Sequence, residues 1–434
     1  MRYALVLAGL LLSHEARAQT ADPATQELIQ RLLTRVDTLE KRIAELEKGS
    51  APGSPATSSA AVAQAPKPTS PAESEHTNHN APPPGEATAQ ETYPSLKISG
   101  FSDFNFAASD LRGASGGFGA ATLLNAHPGF QEGQFALHFS SALSPRVSFF
   151  GELSFTARPD AGIGSPAPAG FNPEVERAVI RFNQSDYLKV SFGRYHTPIN
   201  YWNTAFHHGQ WLQTTISRPE MTQFGGSFIP VHFVGTLVEG VVPARGLNLN
   251  YNFGLGNGRS TVISRSGDFG DINNHKAWLV NMDIRPDALY ALQVGGSVYR
   301  DEVNPAGVLG NREWIQSGHL IWHSETPEFI AEFANVTHQP VSGAADSNSQ
   351  AFYAQTAYRL PWNEKRWKPY YRFEYIHVPR SDTIFRAVPN FSASTAGLRY
   401  DLSTFAAFKL EYRHYERRNL PAINGAFSQV SFTF

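Results

Sequence analysis

Residues 408–413 read Phe408-Lys409-Leu410-Glu411-Tyr412-Arg413, with a large apolar side chain at every second position and charges of both signs between them. A β-strand sends successive side chains to opposite faces, so this stretch makes one face for apolar surroundings and one for polar, ionic surroundings. Toward the other end of the chain, Leu96, Ile98, Phe104 and Phe106 alternate in the same way with Lys97, Ser99, Asp103 and Asn105. Segments of this kind, about nine to twelve residues long and bounded by turn residues, recur from Ser95 to Phe434. A soluble sandwich also alternates, but it rarely sets Lys and Glu opposite Phe, Tyr, Leu, Val or Trp on so many successive strands. The pattern is that of strands with lipid on one side and water on the other.

Sixteen such segments begin near Leu96, Gln134, Arg146, Glu174, Tyr187, His232, Leu247, His275, Ala288, Trp314, Glu328, Ala351, Trp367, Thr395, Phe405 and Ala426. Their connections alternate in length. Short ones, such as Asn183 to Asp186 and Arg285 to Asp287, take turns with long Gly-rich, Pro-rich or polar ones, such as Ser109 to Phe130 and Asn257 to Asn273. Membrane barrels of bacteria show this asymmetry, and an even number of strands puts both termini on the periplasmic side. The expected fold is therefore all-β and transmembrane: a 16-stranded antiparallel β-barrel over residues 95–434.

Composition agrees with one wall between two solvents. The chain has 434 residues, 12% aromatic and 17% charged, with 36 Lys and Arg against 38 Asp and Glu. Near-neutrality argues against a nucleic-acid binder. The absence of cysteine removes disulfide scaffolds, thiolate metal sites and cysteine nucleophiles.

Residues 1–18 have the three parts of a secretory signal: Met1-Arg2, the apolar run Tyr3 to Leu12, and Ala16-Arg17-Ala18 before a cleavage expected at Gln19. The apolar run is too short to span a bilayer. Residues 19–48 carry a seven-residue repeat with Ile29, Val36 and Ile43 at a and Leu32, Leu39 and Leu46 at d. Arg35 and Arg42 at g face Glu40 and Glu47 at e of a parallel neighbour, and Leu28 and Leu33 widen the seam. Ile or Val at a with Leu at d by itself leans toward a dimer. The widened seam and the segments Arg35 to Glu40 and Arg42 to Glu47, which resemble the Arg-apolar-x-x-apolar-Glu signature of parallel trimeric coiled coils, favour a parallel trimer, the alternative being a single amphipathic helix lying on another surface. Residues 49–94, rich in Pro, Ala, Ser and Thr, form a disordered tether.

The signal, coiled coil, Pro-rich linker and sixteen-strand pattern, ending in Val430-Ser431-Phe432-Thr433-Phe434, resemble those of trimeric bacterial outer-membrane porins, especially the DcaP-like and phosphate-selective groups. Val430, Phe432 and Phe434 are similar to the tail that the barrel-assembly machinery recognises. The resemblance implies a homotrimer in the outer membrane, in contact with its lipid and lipopolysaccharide, with the N-terminal segment in the periplasm. The dense arginine ladder of the phosphate-selective group is not present, so the resemblance names no solute.

A barrel of about sixteen strands leaves an aqueous lumen. The longest connection, His196 to Ile229, is the third long one, which in the resembled porins folds inward to narrow the pore. Tyr201, Trp202, Phe206 and Trp211 suit packing against a wall, while His207, His208, Arg218 and Glu220 offer polar groups to a channel. A loop closed over the mouth is the competing reading. Strand parity turns Lys97, Arg146, Arg177, Arg181, Lys189, Arg359, Arg372, Arg399, Lys409 and Arg413 inward, against Asp103, Glu152, Asp283, Glu332, Glu374, Asp401 and Glu411. The balance predicts either a mild anion preference or charges paired across the wall.

The expected function is a water-filled channel for passive diffusion of small hydrophilic, preferably anionic, solutes. The alternative is a structural anchor with a plugged barrel, contacting peptidoglycan through the coiled coil. No Gly-x-Ser-x-Gly elbow or His-Glu-x-x-His helix occurs, and neither an enzyme activity, a cofactor nor a metal site is expected.

Overall fold

The computed structural model describes residues 93–434 apart from 111–127, 158–170, 207–208, 224–227, 306–307, 309, 387, 389 and 419–420. The signal, coiled coil and tether expected before residue 93 lie outside the described residues. Sixteen strands follow one another: β1 (Lys97–Ser109), β2 (Gly129–Ser144), β3 (Val147–Ala157), β4 (Phe171–Ser185), β5 (Leu188–His196), β6 (His232–Val242), β7 (Leu249–Asn257) and β8 (Ala277–Ile284). The second half comprises β9 (Leu292–Val303), β10 (Asn311–Trp322), β11 (Glu328–Pro340), β12 (Ser347–Ala357), β13 (Trp367–His377), β14 (Phe391–Ser403), β15 (Ala406–Arg417) and β16 (Ile423–Thr433). A four-residue helix, α1 (Trp202–Ala205), interrupts the connection from β5 to β6.

Each strand pairs antiparallel with the next, and β1 pairs antiparallel with β16, Phe101 opposite Thr433 and Ser109 opposite Gly425, so the sheet closes. Closure leaves no unpaired edge, which is what a sheet needs in a medium that cannot hydrogen-bond to it. No described helix is long and apolar enough to cross a membrane.

The alternation seen in the sequence is the inside and outside of this wall. On β15, Lys409 and Glu411 are 0% and 3% exposed, whereas Leu410 and Tyr412 are 46% and 51% exposed. Outward apolar side chains continue around the wall, among them Phe104, Phe149, Ile180, Phe192, Phe253, Met282, Leu320, Phe333, Phe352 and Tyr371. This is the reverse of a water-soluble protein and fits a wall surrounded by hydrocarbon. Where the alternation slips, the register does too. A shift lies between Ser102 and Phe104 in the β1–β2 pairing, and another between Glu152 and Leu153 in the β3–β4 pairing, letting Glu176 and Arg177 both be buried. On β5, Gly193 has φ +134, and a Cβ there would meet the Ala178 carbonyl oxygen at 1.9 Å.

The short connections expected from the sequence, such as Asn183 to Asp186 and Arg285 to Asp287, lie at the end of the barrel that holds both ends of the sheet, and the long ones lie at the other end. Arg146, expected inside, is instead exposed in the turn between β2 and β3, because the strand begins one residue later. The buried apolar core sits within the barrel. Its members include Ile199, Trp202, Phe228 and Ile229 from the β5–β6 connection, packed with Tyr299, Tyr353 and Phe385.

Candidate functional site

The described residues of the connection from β5 to β6, 197–206, 209–223 and 228–231, lie inside the barrel against the wall made by β11, β13, β14 and β15. Its two ends are tied together by Asn203, whose Nδ2 donates to the carbonyls of Thr197 at 2.8 Å and Val231 at 3.0 Å. The backbone then turns at Asn200, φ 60, into α1. Four-residue helices leave their first N–H groups without intrahelical acceptors. Glu332 on β11 supplies one, its Oε1 accepting from Tyr201 N–H at 2.8 Å and Trp202 N–H at 2.6 Å. The Trp202 ring stands edge-on to Tyr353 at 5.9 Å, and the Arg372 guanidinium lies 5.9 Å from its centroid.

Beyond α1 the described loop residues make only isolated turn hydrogen bonds, such as Leu212 N–H to Gly209 O and Thr222 N–H to Pro219 O, so most of their carbonyls and N–H groups need side-chain partners. Inward cations take the carbonyls. Arg399 Nη1 donates to Trp211 O at 2.7 Å and Gln213 O at 3.0 Å, and Lys409 Nζ donates to Gln210 O and, at 3.1 Å, to Thr215 O. Arg372 donates to Ser217 O at 2.8 Å, Arg218 O at 3.1 Å and Thr215 Oγ1 at 3.1 Å. Inward carboxylates take the donors. Glu411 accepts from Ile216 N–H at 2.9 Å and Ser217 Oγ at 2.8 Å, Glu374 from Glu220 N–H at 2.6 Å, and Glu328 from Thr214 Oγ1 at 2.9 Å. Arg372 and Arg413 bridge the same carboxylates, Glu374 at 2.8 Å and Glu411 respectively.

Two loop side chains respond to this setting. Burial and the nearby Glu374 carboxylate push the Glu220 carboxyl up to about 7, against the lowering effect of a Tyr415 hydrogen bond and of Arg413 and Arg372. Burial pulls the Arg218 guanidinium down to about 9, and its Nε donates to Thr222 O at 3.0 Å.

With the loop on one side, space remains on the other. A cavity of about 290 Å³ lies between Gly209, Trp211 and Leu212 of the loop and the turn-end halves of β1 to β5. Lys97, Arg177, Arg181 and Lys189 line it together with serines, Asn183 and His138, and no Asp or Glu is among its described lining residues. The balancing acids stand behind the cations: Glu152 holds Arg177 at 2.6 Å and Glu239 holds Arg181 at 3.0 Å. The Arg177 guanidinium also lies 4.3 Å from the Phe150 ring centroid. A smaller cavity of about 70 Å³, on the β6 to β9 side, mixes Glu239 and Asp283 with Lys189 and Arg285.

A second ionic cluster stands at the long-loop end. Arg259 donates through Nε to Glu313 Oε1 at 2.8 Å and through Nη2 to Phe228 O at 2.9 Å. His338 Nε2 is 3.0 Å from Glu313, and its Nδ1 is 2.9 Å from Asp382 in the connection from β13 to β14. Burial would raise the Asp382 carboxyl, but His338 and Ser349 hold it below its ordinary value.

The residues expected at the site thus divide. Arg177 and Arg181 line the open cavity, whereas Tyr201, Trp202, Arg218, Glu220, Arg372, Glu374, Lys409, Glu411 and Arg413 belong to the seam between loop and wall. His207 and His208 lie outside the described residues. Sequence reasoning did not assign Glu328, Arg399 or the Arg259–Glu313–His338–Asp382 cluster to a site. Inward parity was the only signal for Glu313, Glu328, His338 and Arg399, and Arg259 and Asp382, which lie outside the strands, had none, because the partners are far away in the chain. Among the described residues no group of three His, Asp or Glu is placed to hold a metal ion.

No family model matches the sequence, and no curated protein does either. Solved structures do. An anion-selective porin from Comamonas acidovorans superposes with a TM-score of 0.55 at 11% identity, over 79% of this chain and 100% of that one. Salmonella typhi OmpF, in a complex with daunomycin, gives 0.54 at 11% identity, over 78% and 97%. The outer-membrane channel DcaP of Acinetobacter baumannii gives 0.50 at 11% identity, over 79% and 97%. The fold is that of the outer-membrane porins. Within this porin fold the loop from β5 to β6 fills one side of the barrel, and the cation-lined cavity occupies the other.

Proposed function

We propose that the chain is an outer-membrane porin, a water-filled channel through which small hydrophilic solutes diffuse passively, with a preference for anions. The observation that carries the reading is the division of the barrel interior. The inward loop is held on the β11 to β15 wall, and the facing side keeps a cavity whose described lining mixes four cations with aromatic and aliphatic side chains and holds no carboxylate. Positive potential at a narrow, partly desolvated passage lowers the barrier for anions and raises it for cations. Trp211 and Leu212 form the loop edge of this constriction and Lys97, Arg177, Arg181 and Lys189 its wall. The cations on the seam, Arg372, Lys409 and Arg413, act on the passage indirectly, by fixing the loop. The neighbour from Comamonas acidovorans is described as anion-selective, the selectivity proposed here.

In this reading the protein is a homotrimer. Residues 19–48 join three chains in the periplasm through Ile29, Leu32, Val36, Leu39, Ile43 and Leu46, and Val430, Phe432 and Phe434 guide barrel assembly. The test is conductance of the purified, full-length protein in planar bilayers with a salt gradient. Closures in three equal steps and a reversal potential of anionic sign are expected. Silence of the folded protein would sink the channel, and a cationic sign would sink the preference.

A further inference from the structure

On the outer surface, near the long-loop ends of β8, β9 and β10, one cation stands beside a pair of touching indole rings. Arg300 is opposite Trp278 in the β8–β9 pairing and opposite Trp314 in the β9–β10 pairing. The rings meet edge to face at 5.7 Å, and the Arg300 guanidinium is 5.8 Å from the Trp314 centroid. Parity makes all three point away from the lumen, since the neighbours Leu279, Tyr299, Glu313 and Ile315 are buried within it. Arg312, one outward step beyond Trp314 on β10, is exposed. Among the described residues, neither Arg300 nor Arg312 has a carboxylate within 4.0 Å. Glu302, which pairs in register with Arg312, has its carboxylate 3.5 Å from His275 instead.

One outward step on the other side of Trp314 begins a row of amides. Asn335 Nδ2 donates to Gln316 Oε1 at 3.1 Å, and Gln350 Nε2 donates to Asn335 Oδ1 at 3.4 Å, across β10, β11 and β12. The next outward residues on these strands, toward the turn end, are Gly318, Phe333 and Phe352, and Phe333 and Phe352 are exposed. The polar row therefore borders the apolar band.

A cation on the lipid-facing side of a barrel is unfavourable unless it reaches the interface or meets an anion. Paired indoles mark the headgroup level. A guanidinium fork matches phosphate oxygens in a way a lone ammonium does not, and amides donate to and accept from sugar hydroxyls. We propose that Arg300 and Arg312, with Trp278, Trp314 and the Gln316–Asn335–Gln350 row, bind the phosphorylated saccharide headgroup of an outer-leaflet lipid. The site rests on the outer-membrane reading given above, which sets the long-loop end in the outer leaflet, and it is independent of whether the lumen conducts.

The test uses full-length protein extracted from membranes in mild detergent, with retained lipid read by native mass spectrometry. Bisphosphorylated lipid A, fully dephosphorylated lipid A and inorganic phosphate are supplied in separate arms. Wild-type protein should retain the bisphosphorylated lipid about tenfold over the dephosphorylated one, the scale of one or two charge-assisted hydrogen bonds. Arg300→Gln with Arg312→Gln should abolish that difference, and Arg300→Lys should keep part of it. Heat-shifted electrophoretic mobility verifies that each barrel is folded, and conductance should be unchanged in every variant. Equal retention of the two lipids by wild type would overturn the site. So would undiminished retention by the folded double glutamine variant, or displacement of the lipid by inorganic phosphate at equal concentration. Conductance reports the channel and retention reports this site, so either can fail alone.

Discussion

Glu411 of β15 accepts the backbone N–H of Ile216 at 2.9 Å, joining residues 195 positions apart in the chain. The same carboxylate takes Ser217 Oγ and Tyr370 Oη, each at 2.8 Å. A single wall residue thus organises residues 216–217 of the inward loop, which make no backbone ladder with one another or with the wall among the described residues. Arg372 beside it performs the complementary task for the carbonyls.

Replacing Glu411 with Ala should release this segment. Each buried donor left without an acceptor costs about 1–3 kcal/mol, while the barrel wall keeps its backbone pairing. The expected outcome is a folded barrel with larger and noisier single-channel currents, and Glu411→Gln should show a smaller effect. Wild-type current noise in the alanine variant would contradict the role given to Glu411.

Docking of the loop should weaken with rising pH through one window. Glu220 in the docked loop holds its proton up to about 7, whereas its ordinary value is 4.5. Between these values the docked loop binds a proton that the released loop has lost, so rising pH favours release. Below the window both states are protonated and above it both are ionised, so the dependence flattens at each end. Above it Glu220 faces Glu374 as a second carboxylate, with Arg372, Arg413 and the Tyr415 hydroxyl as the remaining polar neighbours. Current noise recorded from about pH 4 to about pH 8 should rise across the window in wild type and stay level in Glu220→Gln.

The strands were legible because one solvent lies on each side of them. His232, Glu328 and Trp367 begin β6, β11 and β13 as the alternation indicates. The alternation fails where the wall leaves the apolar band. The expected start at Ala351 is late because Ser347 to Gln350 are polar on both faces, and Thr395 is late because Ser392 and Ser394 point outward beside Phe391 and Ala393. The expected start at Gln134 misses Gly129 to Gly133, where β2 is irregular against β1. In the lumen, parity brought out Arg372, Glu374, Lys409, Glu411 and Arg413 as inward. It could not bring out what they hold, since a contact such as Glu411 with Ile216 leaves no period in the sequence.

Charge reversal in the open cavity should change selectivity without moving the loop. Lys97 and Lys189 line it, and among the described residues neither donates to the loop backbone. Lys97→Glu combined with Lys189→Glu should lower the anion-to-cation permeability ratio by about threefold or more at low salt, with the change shrinking as ions screen the cavity. Reversal potentials at two ionic strengths measure both parts. An unaltered ratio would place the ion path elsewhere in the barrel.

At the long-loop end, His338 lies between Glu313 and Asp382 and edge-on to Phe385 at 4.6 Å. Phe385 in turn meets Phe228, the last part of the inward loop, at 5.3 Å, and Arg259 donates to Phe228 O. One imidazole therefore couples the connection after β13 to the wall and to the end of the inward loop. Substituting Ala for His338 leaves two carboxylates buried without the group that bridges them, a loss of about 3–5 kcal/mol for a broken buried pair. The connection of residues 378–390 should detach while the barrel, paired strand to strand, stays closed. Trypsin should then cut after Arg380 or Arg386 much faster than in wild type, with the heat-shifted mobility of the uncut barrel unchanged. His338→Gln, which can still donate to one carboxylate, should be cut at an intermediate rate. Equal cutting rates in all three proteins would show that the connection is held by Phe385 packing rather than by the imidazole bridge.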